Sequence, residues 1–392
     1  MPFPVHDGGS YSIYHTALGL IYQEVSLKVL ALNTPKNWID LKCIPDSYKE
    51  KTGFESSYAD TRFRIGKAFL NLFTHNSYFV ERFFSDQFDK DLRRILENET
   101  FDVIQLEHIY LCLYLDTIRA CSKAKIILRS QNVENQIWKR VLARMSNPFK
   151  KTYLLIATKR LERYERETAK KVDGIIAISP DDALTFSSYA YGTPLTDIPL
   201  GFDFNTCTCS DSELKLINAP VVYHIGSMDW EPNIQSLKWF VREVIPFIIQ
   251  DYPEFIFRMA GKKMPCWFYK RQNKNLFVDG HVENSLDYHQ DKQILIVPLL
   301  SGGGLRVKIV EAMALGKTVI STSVGAEGIP YTDGEDILIA DTKEEFLMQI
   351  KKCRDLSGLC EKIGRNAQIL ARAHFNCKVT AQAMINFYNQ LS

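Results

Sequence analysis

From Val103 onward, short runs of apolar and β-branched residues recur along the chain. Each is followed by a longer stretch in which apolar positions return at helical spacing. The runs at 103–106, 126–129, 174–178, 221–225, 255–259, 294–298 and 318–322 predict strands. Near-continuous apolar strands separated by helices indicate parallel sheets covered on both faces, so the expected class is α/β with two Rossmann-like domains. Between positions 191 and 220 the pattern lapses into Gly192-Thr193-Pro194, then Ile198-Pro199-Leu200-Gly201, then the polar run 205–213. Turn formers without periodicity mark a boundary. The expected divisions are therefore a first domain over 1–200, a linker over 201–218, a second domain over 219–374 and a final helical stretch over 375–392. The opening is unusual, because a loop containing Asp7-Gly8-Gly9 leads into a helical pattern at 11–22, and the first strand is expected only at 25–32.

Composition narrows the picture. A chain of 392 residues, 46% hydrophobic and 24% charged, buries two cores, which excludes disorder, collagen and coiled coil. A net charge of +2 implies no nucleic-acid partner, so any basic surface must be local. No apolar stretch approaches the roughly 20 residues that cross a bilayer, and no basic then apolar leader opens the chain. Nine scattered cysteines, an odd number, read as a reduced, cytosolic chain. The one close pair, Cys207-Thr-Cys209, could serve a metal or redox function, but small residues in a linker are the plainer reading.

The segment with the most chemistry runs from Val297 through Ser301, Gly302, Gly303, Gly304, Leu305, Arg306, Lys308 and Glu311 to Gly316. A buried strand enters a triple-glycine turn and a helix begins at once. Amide groups at such a turn can bind an anion, and glycine allows close approach of a phosphate. Arg306 and Lys308 add cations, and Glu311 can accept paired sugar hydroxyls. The loop also follows the carboxyl end of a parallel strand, where open α/β sheets bind ligands. The alternative is a solvated turn with a helix-stabilising glutamate.

In this order of landmarks the chain resembles the GT-B glycosyltransferases, and among them the large retaining family 4. The stretches starting at Gly226 (through Ser227, Asp229, Trp230 and Asn233), at Gly280-His281-Val282-Glu283 and at Glu311 match that family's donor-binding domain. Asp7-Gly8-Gly9, Arg129-Ser130-Gln131-Asn132-Val133-Glu134 and Ala177-Ile178-Ser179-Pro180 match its acceptor-binding domain. The resemblance implies two Rossmann-like domains facing a cleft, with the last helix crossing back to the first. It also implies sugar transfer from a UDP- or GDP-linked nucleotide-sugar, as co-substrate, to a glycan or lipid-linked acceptor with retention of configuration. No metal or other cofactor is implied, because helix N-termini and cations stabilise the departing diphosphate. The expected setting is cell-surface polysaccharide or lipopolysaccharide synthesis in the cytoplasm, peripheral on the inner face of the membrane. The family's first strand normally precedes the Asp-Gly-Gly loop, so the acceptor-binding domain is expected to lack that strand here.

The departures carry information too. The family places two glutamates eight positions apart, and counting back from Glu311 reaches Gly303, so the sugar-binding one is missing. An Arg and a Lys usually follow the first strand of the donor domain, where this chain has Ser227 and Pro232. Arg306 and Lys308 are expected to supply that charge from across the cleft. At the family's N-terminal histidine position stands Glu107, with His108 next. Either could hold a sugar hydroxyl or steady charge at the anomeric carbon, unless it merely caps the strand. Gly8, Gly9, Arg129, Asn132 and Glu134 are expected on the acceptor side, with an Arg129–Glu134 ion pair as the structural alternative.

Two further segments concern partners. Residues 139–171 hold eleven basic side chains against Glu162, Glu165 and Glu167, and 62–84 interleave Arg62, Arg64, Lys67 and Arg82 with six phenylalanines. Such faces suit an anionic membrane, or are solvated helix faces over a core. Asp89-Lys90-Asp91 matches a metal-binding DxD motif but lies in a charged helical pattern, which favours a solvated face. A sugar-nucleotide epimerase on the same architecture and a non-catalytic relative that binds a sugar or partner remain as alternatives.

Overall fold

The computed structural model describes all residues except Pro4, His6, Asp7, Ile65, Lys67, Ala68, Phe69, Leu72, Phe73, His75, Arg144, Ser146, Cys207 to Ala219, Gly303 and Ser392. The chain divides into two units, Met1–Gly201 with Cys377–Ser392, and Phe202–Asn376. Phe202 is buried and its amide donates to the Phe375 carbonyl (2.6 Å), so the second unit already includes positions where the sequence suggested a linker. Cys207 and Cys209 lie outside the described residues.

In the first unit, β1 (Leu30–Asn33) pairs in parallel with β2 (Glu55–Tyr58). A separate four-stranded parallel sheet has the order β3 (Val103–Leu106), β4 (Lys125–Ser130), β5 (Gly174–Ala177), β6 (Leu195–Asp197). The expected strand at 25–32 is corrected to Leu30–Asn33. Glu24 takes a left-handed turn (φ 60°), and ladder bonding starts only at Val29, where Thr52 and Glu55 provide partners. β2 reads Glu-Ser-Ser-Tyr and escapes detection by its polarity. The helix Gly8–Tyr22 packs on the terminal helix Cys377–Gln390. They approach closely because Gly19 has no side chain; a Cβ there would lie 2.3 Å from the Cys377 carbonyl oxygen.

The second unit is one six-stranded parallel sheet in the order β12-β11-β10-β7-β8-β9. Its strands are β7 (Val222–Ile225), β8 (Phe257–Ala260), β9 (Leu276–Gly280), β10 (Ile294–Val297), β11 (Thr318–Ser321) and β12 (Leu338–Ile339). β7, β10 and β11 are buried at every position, as expected of strands with helices on both faces. Counted within the unit, the order is 3-2-1-4-5-6, the doubly wound arrangement, and the direction of winding reverses between β7 and β10. Both units are thus α/β with parallel sheets, as the apolar pattern predicts.

Candidate functional site

The carboxyl ends of β7 and β10 are adjacent, because Ile294 pairs with Val222 and Leu295 with Tyr223. That adjacency brings the loop at Gly226 beside the loop 298–306, at the switch point where doubly wound sheets bind ligands. Gly226 sits against three polar atoms. A Cβ there would lie 2.5 Å from Lys308 Nζ, 3.0 Å from Asn233 Nδ2 and 3.3 Å from His224 Nε2. Lys308 Nζ donates to Asn233 Oδ1 (3.1 Å), and Asn233 Nδ2 donates to the Ser227 carbonyl (2.8 Å). Gly226, Ser227, Asn233 and Lys308, far apart in sequence, therefore form one cluster. Asp229 is placed differently, exposed and paired with Lys263 at 2.8 Å.

Electrostatics follow from this enclosure. Burial first, and the Arg306 guanidinium second, push the Lys308 ammonium down to about 7, while Glu311 acts in the opposite sense. The wholly buried His224 imidazole is held well below its usual value by burial, then by Lys308. Its Nδ1 lies 2.8 Å from the Ile296 carbonyl, which can only accept, so Nδ1 carries the proton and Nε2 offers a lone pair. Nε2 has no hydrogen-bond partner among the described residues. Sequence reasoning missed His224, although a histidine inside an apolar strand two residues before a loop glycine was a usable signal.

Gly302, Gly304, Leu305 and Arg306 shape the turn into the helix Val307–Ala314, while Gly303 lies outside the described residues. Gly302 and Gly304 have φ of 138° and 82°, backbone that favours glycine. A Cβ on Gly302 would meet the Trp230 ring at 2.8 Å and Arg306 Nη2 at 2.9 Å. The Arg306 guanidinium lies over Trp230, 5.2 Å from the ring centroid, and Nη1 donates to the Gly304 carbonyl. Trp230 is packed in place here. Among the described residues no side chain caps the helix at Val307, so its first amides face the turn.

Glu311 lies on the same helix, is 7% exposed, and accepts from Ser285 Oγ (3.1 Å). Its other oxygen lies 3.8 Å from His289 Nε2, and His289 Nδ1 is hydrogen-bonded to the Tyr223 hydroxyl. Ser285, His289 and Tyr223 were not anticipated. They come from two elements, the helix Ser285–Gln290 and β7, that only folding places around Glu311.

In the first unit, Glu107 and His108 follow β3 and diverge. Glu107 Oε2 accepts from Arg129 Nη1 and from Gln131 Nε2, both at 2.9 Å, and Oε1 accepts from Gln105 Nε2 at 2.6 Å. Arg129 is fully buried, with its second arm donating to Ser12 Oγ (2.9 Å) on the helix that Gly8 and Gly9 begin. The enclosed Arg129 guanidinium thus supports Glu107 and Ser12. The considered Arg129–Glu134 pair does not form. Glu134 is 8% exposed, accepts from Tyr110 Oη (2.8 Å), and has His108 Nδ1 at 3.9 Å. The Asn132 carbonyl accepts from Ser130 Oγ (2.7 Å). The helix Glu134–Ala143 is capped from a distance by buried Glu165, whose carboxylate accepts from the Glu134 amide (2.8 Å) and the Asn135 amide (3.2 Å).

Asp89 and Asp91 are structural. Asp89 accepts from Thr117 and Arg93, and Asp91 from Ser57 and Gln87, tying the helix Asp86–Asn98 to its neighbours.

Residues 219–355 match the family model described as "Glycosyl transferases group 1". A curated relative, an uncharacterized 44.6 kDa protein in the cps region of Klebsiella pneumoniae, is 25% identical over 299 residues, covering 73% of this chain and 74% of that one. Among solved structures, sucrose-phosphate synthase from Thermosynechococcus elongatus aligns with a TM-score of 0.71 at 14% identity, covering 100% of this chain and 96% of that one. Anabaena HepE, solved in complex with UDP and glucose, aligns at 0.64 and 14% identity, over 98% and 96% of the two chains. With its doubly wound second unit, the chain has the GT-B fold, and its residues 219–355 are similar to the group 1 glycosyl transferases.

Proposed function

We propose that the chain transfers a sugar from a UDP- or GDP-linked nucleotide-sugar to a glycan or lipid-linked acceptor, with retention of anomeric configuration, in cell-surface polysaccharide or lipopolysaccharide synthesis. The observation that carries this reading is Lys308 beside Gly226 at the switch point, on a helix that also bears Glu311. The relative's place in a cps region supports the polysaccharide setting, and the complexes of HepE with UDP support a uridine donor.

When the bond between the anomeric carbon and the diphosphate oxygen breaks, negative charge collects on the departing diphosphate. Lys308, Arg306 and the uncapped amides before Ile309 stabilise it, a task that other transferases give to a divalent cation. The reaction by this reading needs no metal. Glu311 accepts the ribose hydroxyls. His108, a third exposed, is the better placed of the two N-terminal candidates to touch a sugar hydroxyl, with Glu107 held by Arg129 and Gln131 beside it.

Calorimetry with UDP, GDP, ADP and CMP tests the donor site. One nucleoside diphosphate should bind tightly, Glu311→Ala should weaken it about tenfold or more, and Arg306→Ala/Lys308→Ala should abolish it, since charge-assisted phosphate contacts contribute ~1.5–3 kcal/mol each. Unchanged affinity in the folded double variant would overturn the assignment. Turnover that survives EDTA, with an α-linked product from an α-linked donor by proton NMR, is the expected result for metal independence and retention. Conversion of the nucleotide-sugar without acceptor would point to an epimerase.

A further inference from the structure

We propose that one face of the first unit is a docking surface for an anionic phospholipid bilayer. The fold joins two segments far apart in sequence. The Phe63 ring lies edge-on to Tyr153 (6.4 Å between centroids, 84°), and Arg160 Nη1 donates to the Asn71 carbonyl (2.7 Å). The helix Pro148–Ala169 turns Ala157, Leu161 and Ala169 inward and leaves Leu155 47% and Ile156 38% exposed. On the joined segment Phe63 is 51% and Leu70 66% exposed. Four large apolar side chains thus stand in solvent on the two joined segments.

Positive charge predominates there. From Asn135 to Leu161 the sequence has seven basic residues and no acid, and from Thr61 to Val80 three basic residues and no acid. Lys150, Lys151, Lys159 and Arg163 are exposed on the helix. Of the neighbouring acids, Asp60 is held by Arg62 and Arg64 and Glu162 by Lys139 and Arg166, while Glu81 accepts from Asn71 and Asn76 and Glu167 is exposed on the helix. A soluble polyanion would be held by the cations alone and would leave the four apolar groups in water. A bilayer offers phosphate for the cations and an interfacial apolar layer for Phe63, Leu70, Leu155 and Ile156. No helix among the described residues is long and apolar enough to cross a membrane, so the contact is interfacial. This inference does not rest on the sugar-transfer reading and is tested without nucleotide.

The experiment is co-sedimentation of the full chain with phosphatidylcholine vesicles, with and without phosphatidylglycerol, at low and high salt. The chain should bind the anionic vesicles and be released by salt. Binding should weaken about fivefold for each lysine removed in the series Lys150→Ala, Lys151→Ala, Lys159→Ala. Leu155→Ser/Ile156→Ser should lose binding while keeping the salt dependence of what remains. All these side chains are exposed, and unchanged thermal melting checks that each variant folds. Absence of binding at low salt, equal binding to pure phosphatidylcholine, or equal retention of Leu155→Ser/Ile156→Ser would each overturn the proposal. Competition by soluble heparin as strong as that by anionic vesicles would overturn it in favour of a polyanion site.

Discussion

Lys308 shows how much one enclosed cation decides. Its ammonium is pushed down to about 7 by burial and by Arg306, yet a diphosphate needs it charged. Below pH 7 the charge is present in the free protein. Above it, binding must take up a proton, so affinity falls by up to about tenfold per pH unit. Affinity for an intact nucleotide-sugar, which has no phosphate titration of its own in this range, should therefore drop between pH 7 and 8.5. Lys308→Arg, always charged, should flatten that profile. A wild-type profile that is already flat would show that Lys308 does not face the phosphates. Glu107 illustrates the opposite arrangement, a carboxylate with three side-chain donors whose direction is set before any substrate arrives.

Among the elements, the helix Glu134–Ala143 depends on a residue from another helix. Glu165 satisfies two of its leading amides and is pushed up to about 7 by burial. With an unfolded value of 4.5, the folded chain binds more protons than the unfolded one between pH 4.5 and 7, so this group's contribution to stability declines as pH rises through that window and is constant above it. Glu165→Ala should cost about 2–4 kcal/mol in urea unfolding at pH 6, because two buried amides lose their acceptor. The same change should remove this part of the pH slope. A loss below about 0.5 kcal/mol with an unaltered slope would refute the capping role. Sequence reading placed Glu165 among the acids of a basic surface, since nothing local reveals that position 165 faces position 134.

For the whole molecule, the first unit is assembled from two ends of the chain. Met384 and Phe387 of the terminal helix pack with Ile127, Ile176 and Ile198, while Gly19 admits the backbone at Cys377. Losing a buried Met and Phe costs roughly 2–5 kcal/mol each, comparable with the whole stability of a domain. A chain ending at Asn376 should therefore have a protease-sensitive segment 1–201, while the segment 202–376 resists digestion and keeps nucleotide affinity. Equal resistance of both segments would contradict that dependence.

The α/β class, most strands and the glycine-rich turn could be read from the sequence, because buried parallel strands and phosphate-type turns have strong local signatures. β2, β6, β9 and β12 went unread, being short or polar, with pairing supplied by distant partners. The residue types of the site were equally legible, but not their grouping. Ordering of the second sheet brought β7 against β10, and only that placed Lys308, Asn233 and His224 around Gly226. The same holds for Arg129, whose neighbours in sequence suggested Glu134 and whose fold supplied Glu107. Local pattern determines what each segment can become, because backbone conformation and apolar periodicity are short-range properties. Which side chains share a site depends on strand order and burial, and these exist only once distant segments have packed.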